Sequence, residues 1–330
     1  MDASIAAGAP TRRDRLMRLA SAYGQELVVL GALVVLMVVV GIVNPRYLAS
    51  YNLNSIFAGN AYIAVAAIGQ SMVIITGNID VSVGALIGVL GTVSGTLAVN
   101  GYPVWVAWGA AVVLGVLAGV VIGALVAYAR IPSIVVTLGM LSIFRGGLII
   151  FTGGRWITPP PAFRLAQERF FNVPSPVYLA ALLTVVAALW MRYAALGRAI
   201  YAVGGNAEAA RAAGIRTHAM VVFVFALNGF FAGIAAVLFA TQLQVIQSTV
   251  PNNLELSIIT ASVIGGVSIL GGTGTVVGST LAALLFSAIA SALIFVNVSA
   301  YWLRAVLGLL ILVTVLADMA RRQRKGRLAP

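Results

Sequence analysis

The residues able to do chemistry are few, and they first say what this chain does not do. Cysteine is absent and His218 is the single histidine, so there is no thiolate or histidine cluster for a metal and no cysteine nucleophile. The one lysine, Lys325, precedes Gly326 and Arg327 and lies in no G-x-x-x-x-G-K-[ST] loop, so ATP is not bound by that route. No acidic cluster offers paired carboxylates, which argues against a membrane enzyme. Among the charges that stand in or between apolar runs are Asp80 and Arg145, where ionised groups are costly and mark function by default. Asp80 lies in a Gly/Asn-containing break, and broken helices place polar groups along transport routes. Asn78, Asp80 and Ser82 are therefore a candidate pathway or gate; Asp80 and Ser82 are equally ordinary helix caps. Counting residues puts Asp80 near the cytoplasmic boundary, with Arg145 as its expected partner or, alternatively, reaching to the interface. Asn60, Gln70, Thr137, Asn228, Gln242 and Gln244 either line a route or hydrogen-bond between helices. Arg164, Arg169 and Glu255, on the outside by the same count, are candidates for docking an external protein or are simply solvated.

The elements that position these groups are membrane helices. Of the 330 residues, 61% are hydrophobic and 8% charged, against about 25% charged in a soluble domain. The fold class is all-α, a polytopic transmembrane bundle. About ten segments are apolar enough to cross a bilayer: 27–43, 56–76, 81–99, 104–129, 133–152, 176–194, 219–241, 256–271, 275–296 and 301–317. Segment 256–271 is short and interrupted by Gly and Ser, so it is either a span or re-entrant. The first run is read as a retained helix and not a cleaved signal, because some 25 residues precede it. The organisation is a cytoplasmic segment 1–26, a membrane domain 27–317 with an external loop 153–175 and an internal loop 195–218, and a basic tail 318–330.

Charge sets the orientation. Fourteen of the twenty Lys and Arg residues fall on one side, among them Arg12, Arg13, Arg15, Arg18, Arg198, Arg211, Arg216 and the tail, while Arg46, Arg155, Arg164 and Arg169 fall on the other. The positive-inside rule makes the first side cytoplasmic, with both termini there. The net charge of +12 then marks a face beside anionic lipid, and no nucleic-acid partner is needed to explain it. Gly115, Gly119 and Gly123 repeat every four residues, as do Gly84 with Gly88 and Gly91 with Gly95, the spacing of close helix packing. Trp105, Trp108, Trp156 and Trp302 are expected at the membrane interface.

The internal loop carries the clearest local signal. In Gly204-Gly205-Asn206-Ala207-Glu208-Ala209-Ala210-Arg211-Ala212-Ala213-Gly214, Asn206 is an N-cap, Glu208 suits the first-turn dipole, and Gly214 can end the helix left-handed. A short capped helix over 207–213 is expected, small-faced enough to seat in a groove of a soluble partner. The spacing Glu208-Ala209-Ala210-x-x-x-Gly214 resembles the EAA loop of ATP-binding-cassette importer permeases.

The resemblance extends along the chain in the order of the ribose-type sugar permeases. Thr76-Gly77-Asn78-Ile79-Asp80-Val81-Ser82-Val83-Gly84, then Ile131-Pro132-Ser133 through Gly139 with Arg145-Gly146, then Gly197-Arg198 through Gly214-Ile215, and Val263-Ile264-Gly265-Gly266 through Gly272-Thr273-Gly274 are similar to that family's segments. Within it, the segment around Asp80 and Thr152-Gly153-Gly154-Arg155-Trp156-Ile157 look closest to autoinducer-2 and rhamnose-type permeases, with Gly77 as a departure. The resemblance implies a permease subunit in the bacterial inner membrane, working by alternating access. Its implied partners are cassette ATPase subunits, a second permease copy or paralogue, and a periplasmic solute-binding protein. ATP and Mg would sit on the ATPase, with no cofactor in this chain. Asn206, Glu208, Ala209, Ala210, Arg211 and Gly214 would couple to that ATPase. So few charges in the spans fit a neutral, hydroxyl-rich solute. The alternatives are a branched-chain amino-acid permease, in which Asp80 and Arg145 hold a zwitterion, and a gradient-driven transporter.

Overall fold

The computed structural model describes residues 24–163, 168–242, 245–247, 253–299 and 301–327. Arg12, Arg13, Arg15 and Arg18, the docking candidate Arg164, the polar candidate Gln244 and residues 328–330 lie outside the described residues.

The apolar runs form helices in chain order: α1 Gly24–Val43, α2 Ser50–Gly59, α3 Ala61–Ile75, α4 Val83–Val99, α5 Val104–Ala127, α6 Ser133–Thr152, α7 Ser175–Tyr193, α8 Ala195–Gly205, α9 Ala207–Ala212, α10 Thr217–Gln242, α11 Leu254–Ile264, α12 Val276–Phe295 and α13 Trp302–Arg327. A two-residue hairpin, β1 Arg169–Phe170 with β2 Val173–Pro174, pairs Arg169 with Pro174. Seven of the expected runs are helices long and apolar enough to cross a membrane, α2 and α3 counting as one kinked crossing at Asn60; three more, within α4, α11 and α13, are shorter apolar helices.

Segment 256–271, read as either a span or re-entrant, holds the half-length α11. Its 11 residues cover about 17 Å at 1.5 Å per residue, against a hydrocarbon core of about 30 Å. Gly265 caps its end, and in the loop beyond, Gly266 and Gly271 take φ of +98° and +82°, open to a residue without a Cβ.

Helix α3 is the axis of the bundle. Every residue in it except Tyr62 is buried, and α10, α12 and α11 pack around it. The Gly115, Gly119 and Gly123 stripe of α5 meets the backbone of α10: a Cβ on Gly119 would overlap the Phe225 carbonyl, and one on Gly123 would come within 2.8 Å of Val222 Cα. This is the close packing that the four-residue spacing implied. Trp105, Trp156 and Trp302 are exposed, whereas Trp108 turns inward onto Phe163, 6.3 Å between ring centroids, and so does not fit an interface anchor. Two ends can be distinguished. Ile157 bridges Ile246 at the hairpin end; α8, α9 and the loop after α11 gather at the other, the α9 end.

Candidate functional site: a polar break and a capped loop helix

The break after α3 is built by local hydrogen bonds. Gly77 N–H donates to Ile74 O (2.9 Å) and Asn78 N–H to Val73 O (3.2 Å), the paired bonds of a left-handed helix end. Gly77 takes φ +80° there, which accounts for glycine at that position. The Asn78 amide turns back to Thr76 Oγ1 at 3.1 Å, so it serves the turn. The chain is then strapped to the first turns of α6: Ile79 N–H donates to Ser133 Oγ at 3.2 Å, and Thr137 Oγ1 donates to Ser133 O at 2.8 Å while lying 3.4 Å from Ile79 O.

Asp80 is 2% exposed. Its Oδ1 accepts from Ser82 N–H (2.8 Å) and Ser82 Oγ–H (2.6 Å), closing the turn that leads into α4, and its Oδ2 accepts from Asn228 Nδ2–H (2.8 Å). Asn228 is near the middle of α10, so Asp80 lies well inside the bundle and not at its boundary. The residue count misplaced it because it treated both flanking runs as full crossings. Asp80, Ser82 and Asn228 are thus brought together.

Arg145 does not pair with Asp80. Its Nη2 donates to Glu255 Oε1 at 2.8 Å, with side chains 38% and 6% exposed respectively. The reason is height. Thr137 grips Ile79, and Arg145 stands eight residues further along α6, about 12 Å higher. At that level it meets the first turn of α11, where Glu255 lies against Gly84 of α4; a Cβ on Gly84 would come within 2.6 Å of Glu255 N and Oε2. Glu255 is therefore no solvated docking charge: it is buried, on a helix start whose dipole favours a carboxylate, and unavailable to an external protein in this conformation. Arg169 is exposed in the hairpin. Gln242 is exposed at the far end of α10, away from the cluster. Gln70 is fully buried with neither amide atom hydrogen-bonded, and Asn228 Oδ1 and Glu255 Oε2 likewise lack partners. Elsewhere polar side chains join helices, as in Ser71 Oγ to Ser279 Oγ at 2.6 Å and Thr184 Oγ1 to Thr280 Oγ1 at 2.9 Å.

At the α9 end the capped helix forms as its residues imply. Asn206 Oδ1 accepts from Glu208 N–H (3.0 Å) and Ala209 N–H (2.9 Å). Gly214, at φ +84°, donates to Arg211 O at 3.0 Å, and Ile215 N–H to Ala210 O at 3.0 Å, closing the far end. Ala210 is buried, while Glu208, Ala209 and Arg211 are exposed.

A junction that the sequence did not reveal ties this loop to the break. Gly272 N–H donates to Ile75 O at 2.8 Å, and Gly204 fits against that same carbonyl so closely that a Cβ would overlap it. Tyr201 O–H donates to Gly274 O at 2.9 Å. Burial first, and the Glu26 charge second, push the Tyr201 phenol up, keeping it a neutral donor. The end of α3, the glycine loop after α11 and helix α8 therefore meet at one point, five residues before Asp80. Gly204-Gly205 and Gly271-Gly272 were the only signals, and pairing across 68 residues is not a local property.

This succession of broken helices, glycine seams and an exposed capped loop helix is matched by a family model over residues 52–315, described as branched-chain amino acid transport system / permease component. The chain belongs to that permease family. It is 36% identical over 296 residues, 89% of this chain and 86% of the relative, to the autoinducer 2 import system permease protein LsrC of Escherichia coli O9:H4 (strain HS) and of Shigella flexneri. The same identity holds for the protein of that name from Salmonella typhi, over 85% of its length. No solved structure matches. The chain is accordingly a multi-pass inner-membrane permease component, a transport subunit and not an enzyme.

Proposed function

We propose that this permease forms the translocation pathway of an ATP-driven importer for a small, neutral, hydroxyl-rich solute, a sugar-like signal of the autoinducer-2 kind. Helix α9 seats in a cassette ATPase on the cytoplasmic side, which also places both termini there. ATP and Mg are held by that ATPase. A second permease copy or paralogue completes the pathway, and a periplasmic binding protein delivers the solute to the hairpin end, where Arg169 is exposed. Asp80, Ser82, Asn228, Thr137 and Arg145 stand along or beside the pathway.

The observation that carries this reading is the junction at Ile75. Motion of α9 reaches α8 through Asn206, α8 meets the Ile75 carbonyl through Gly204, and Ile75 leads directly into the Asp80 break. Nucleotide shifts the pathway only by binding two conformations differently, and this junction is where such a difference would enter the bundle. A gradient-driven transporter has no use for it. A zwitterionic amino acid would need an anion as well as a cation free to receive it, whereas the Asp80 carboxylate is taken up by Ser82 and Asn228; the relatives' names likewise favour the sugar-like solute.

The test is Glu208→Lys and Gly214→Asp in the full importer. Both are expected to reduce co-purification of the ATPase and uptake of labelled autoinducer 2. Undiminished assembly and uptake would remove α9 from the coupling role, and preferential uptake of leucine would replace the solute.

A further inference from the structure

The Arg145–Glu255 pair is a half-exposed cation resting on a buried anion in the middle of a helix. Among the described residues, one guanidinium N–H is engaged, to Glu255 Oε1, so the rest of the five-donor fork is open. That fork cannot face lipid, where an arginine at depth is costly. Beside it, between the exposed apolar side chains Leu138 and Ile149, α6 carries a strip of small residues: Gly139, Ser142 and Gly146 follow one another at three- and four-residue spacing, all exposed, with open space over both glycines. The strip leaves space alongside the guanidinium. Glu255 is 94% enclosed as a side chain, the complement of its 6% exposure, and its Oε2 has no hydrogen-bond partner. Its place is fixed by Gly84, which leaves no space for a Cβ between α4 and α11.

We propose that Arg145 receives a hydroxyl group of the transported solute within the membrane, and that Glu255 is the positioning residue that holds the guanidinium toward the pathway. The inference rests on the importer reading above and deepens it. The pair has no net charge, so it rejects anions that a lone arginine would trap and still offers donors to a polyol. Hydroxyl recognition by donors fixed in place is strongly selective, because a solute lacking the group leaves them unpaired. Glu255 does not touch the solute; without it, the arginine loses both its counter-charge and its fixed direction.

The experiment uses the whole importer, permease with ATPase and binding protein, reconstituted in proteoliposomes with labelled autoinducer 2, ribose and rhamnose as probes. Solute moved per ATP hydrolysed is the readout, because a merely structural defect lowers both together. Arg145→Leu and Glu255→Gln are each expected to lower that ratio about tenfold, the scale of one charge-assisted hydrogen bond, with ATP hydrolysis changed by less than about twofold. Glu255→Asp and Arg145→Lys should retain part of the ratio, and the double variant should be no worse than either single one. If Arg145→Leu fails to assemble, Arg145→Lys decides, since it keeps the charge and loses the fork; an unchanged ratio then overturns the proposal. Because the chain has no cysteine, Ser142→Cys and Gly146→Cys offer unique thiols. They should react with a membrane-impermeant thiol reagent and be protected by the transported solute, and inert thiols count against the proposal. Wild type moving none of the probes would defeat the importer reading itself. Wild type moving a probe with all variants at its ratio would defeat only the role of Arg145 and Glu255.

Discussion

At Asp80 a buried carboxylate is satisfied by three donors from two elements, Ser82 on its own chain segment and Asn228 across the bundle. Removing one donor leaves an uncompensated acceptor in the interior, which costs about 1–3 kcal/mol. Asn228→Leu is therefore expected to lower the thermal midpoint of the purified permease complex. Asn228→Asp should be more damaging, since it sets a second carboxylate against the first; a midpoint equal to wild type for both would show that the contact carries no stability. Gly204 makes a different case. Gly204→Val places a side chain where the Ile75 carbonyl already stands, at about 1–3 kcal/mol for overpacking. Because α9 is untouched, ATPase co-purification should persist while uptake falls, and loss of both together would show that the junction serves assembly alone.

The elements show why some of this was legible and some was not. Helix α9 could be read from the sequence because its stop signals act over a few residues: Asn206 caps its own next turn and Gly214 closes the same helix. Asn206→Ala is expected to remove about 1 kcal/mol of local helix stability, seen as faster amide exchange over 207–213 and weaker ATPase capture, with exchange elsewhere unchanged. The glycine stripe of α5 was equally readable, because four-residue spacing puts its members on one face. Gly119→Leu should cost about 1–3 kcal/mol or more and reduce folded yield in the membrane, whereas the same change at Gly109, with open space around it, should be tolerated. The Arg145 partner was not readable. Glu255 is 110 residues away, and its depth depends on α11 being a half-helix, which apolar length alone did not establish. The depth of Asp80 was misjudged for the same reason: hydropathy marks which residues are apolar, not where a chain turns back.

On the scale of the whole molecule, the permease is an apolar bundle around α3 in which backbone contacts join the helix before an exposed loop helix to the start of a polar break. The seams there are glycine contacts at the backbone, where a Cβ on Gly204 would overlap the Ile75 carbonyl. The chain carries no ATPase motif of the Walker type, so the proposed importer requires α9 to meet a separate motor on the cytoplasmic side. Glu208→Cys tests this most directly, as the only thiol in the chain. In intact cells an impermeant thiol reagent should leave it unlabelled, and in the isolated complex it should crosslink to the cassette ATPase, with a yield that changes on adding ATP. Labelling from outside the intact cell, with no crosslink to the ATPase, would contradict the account.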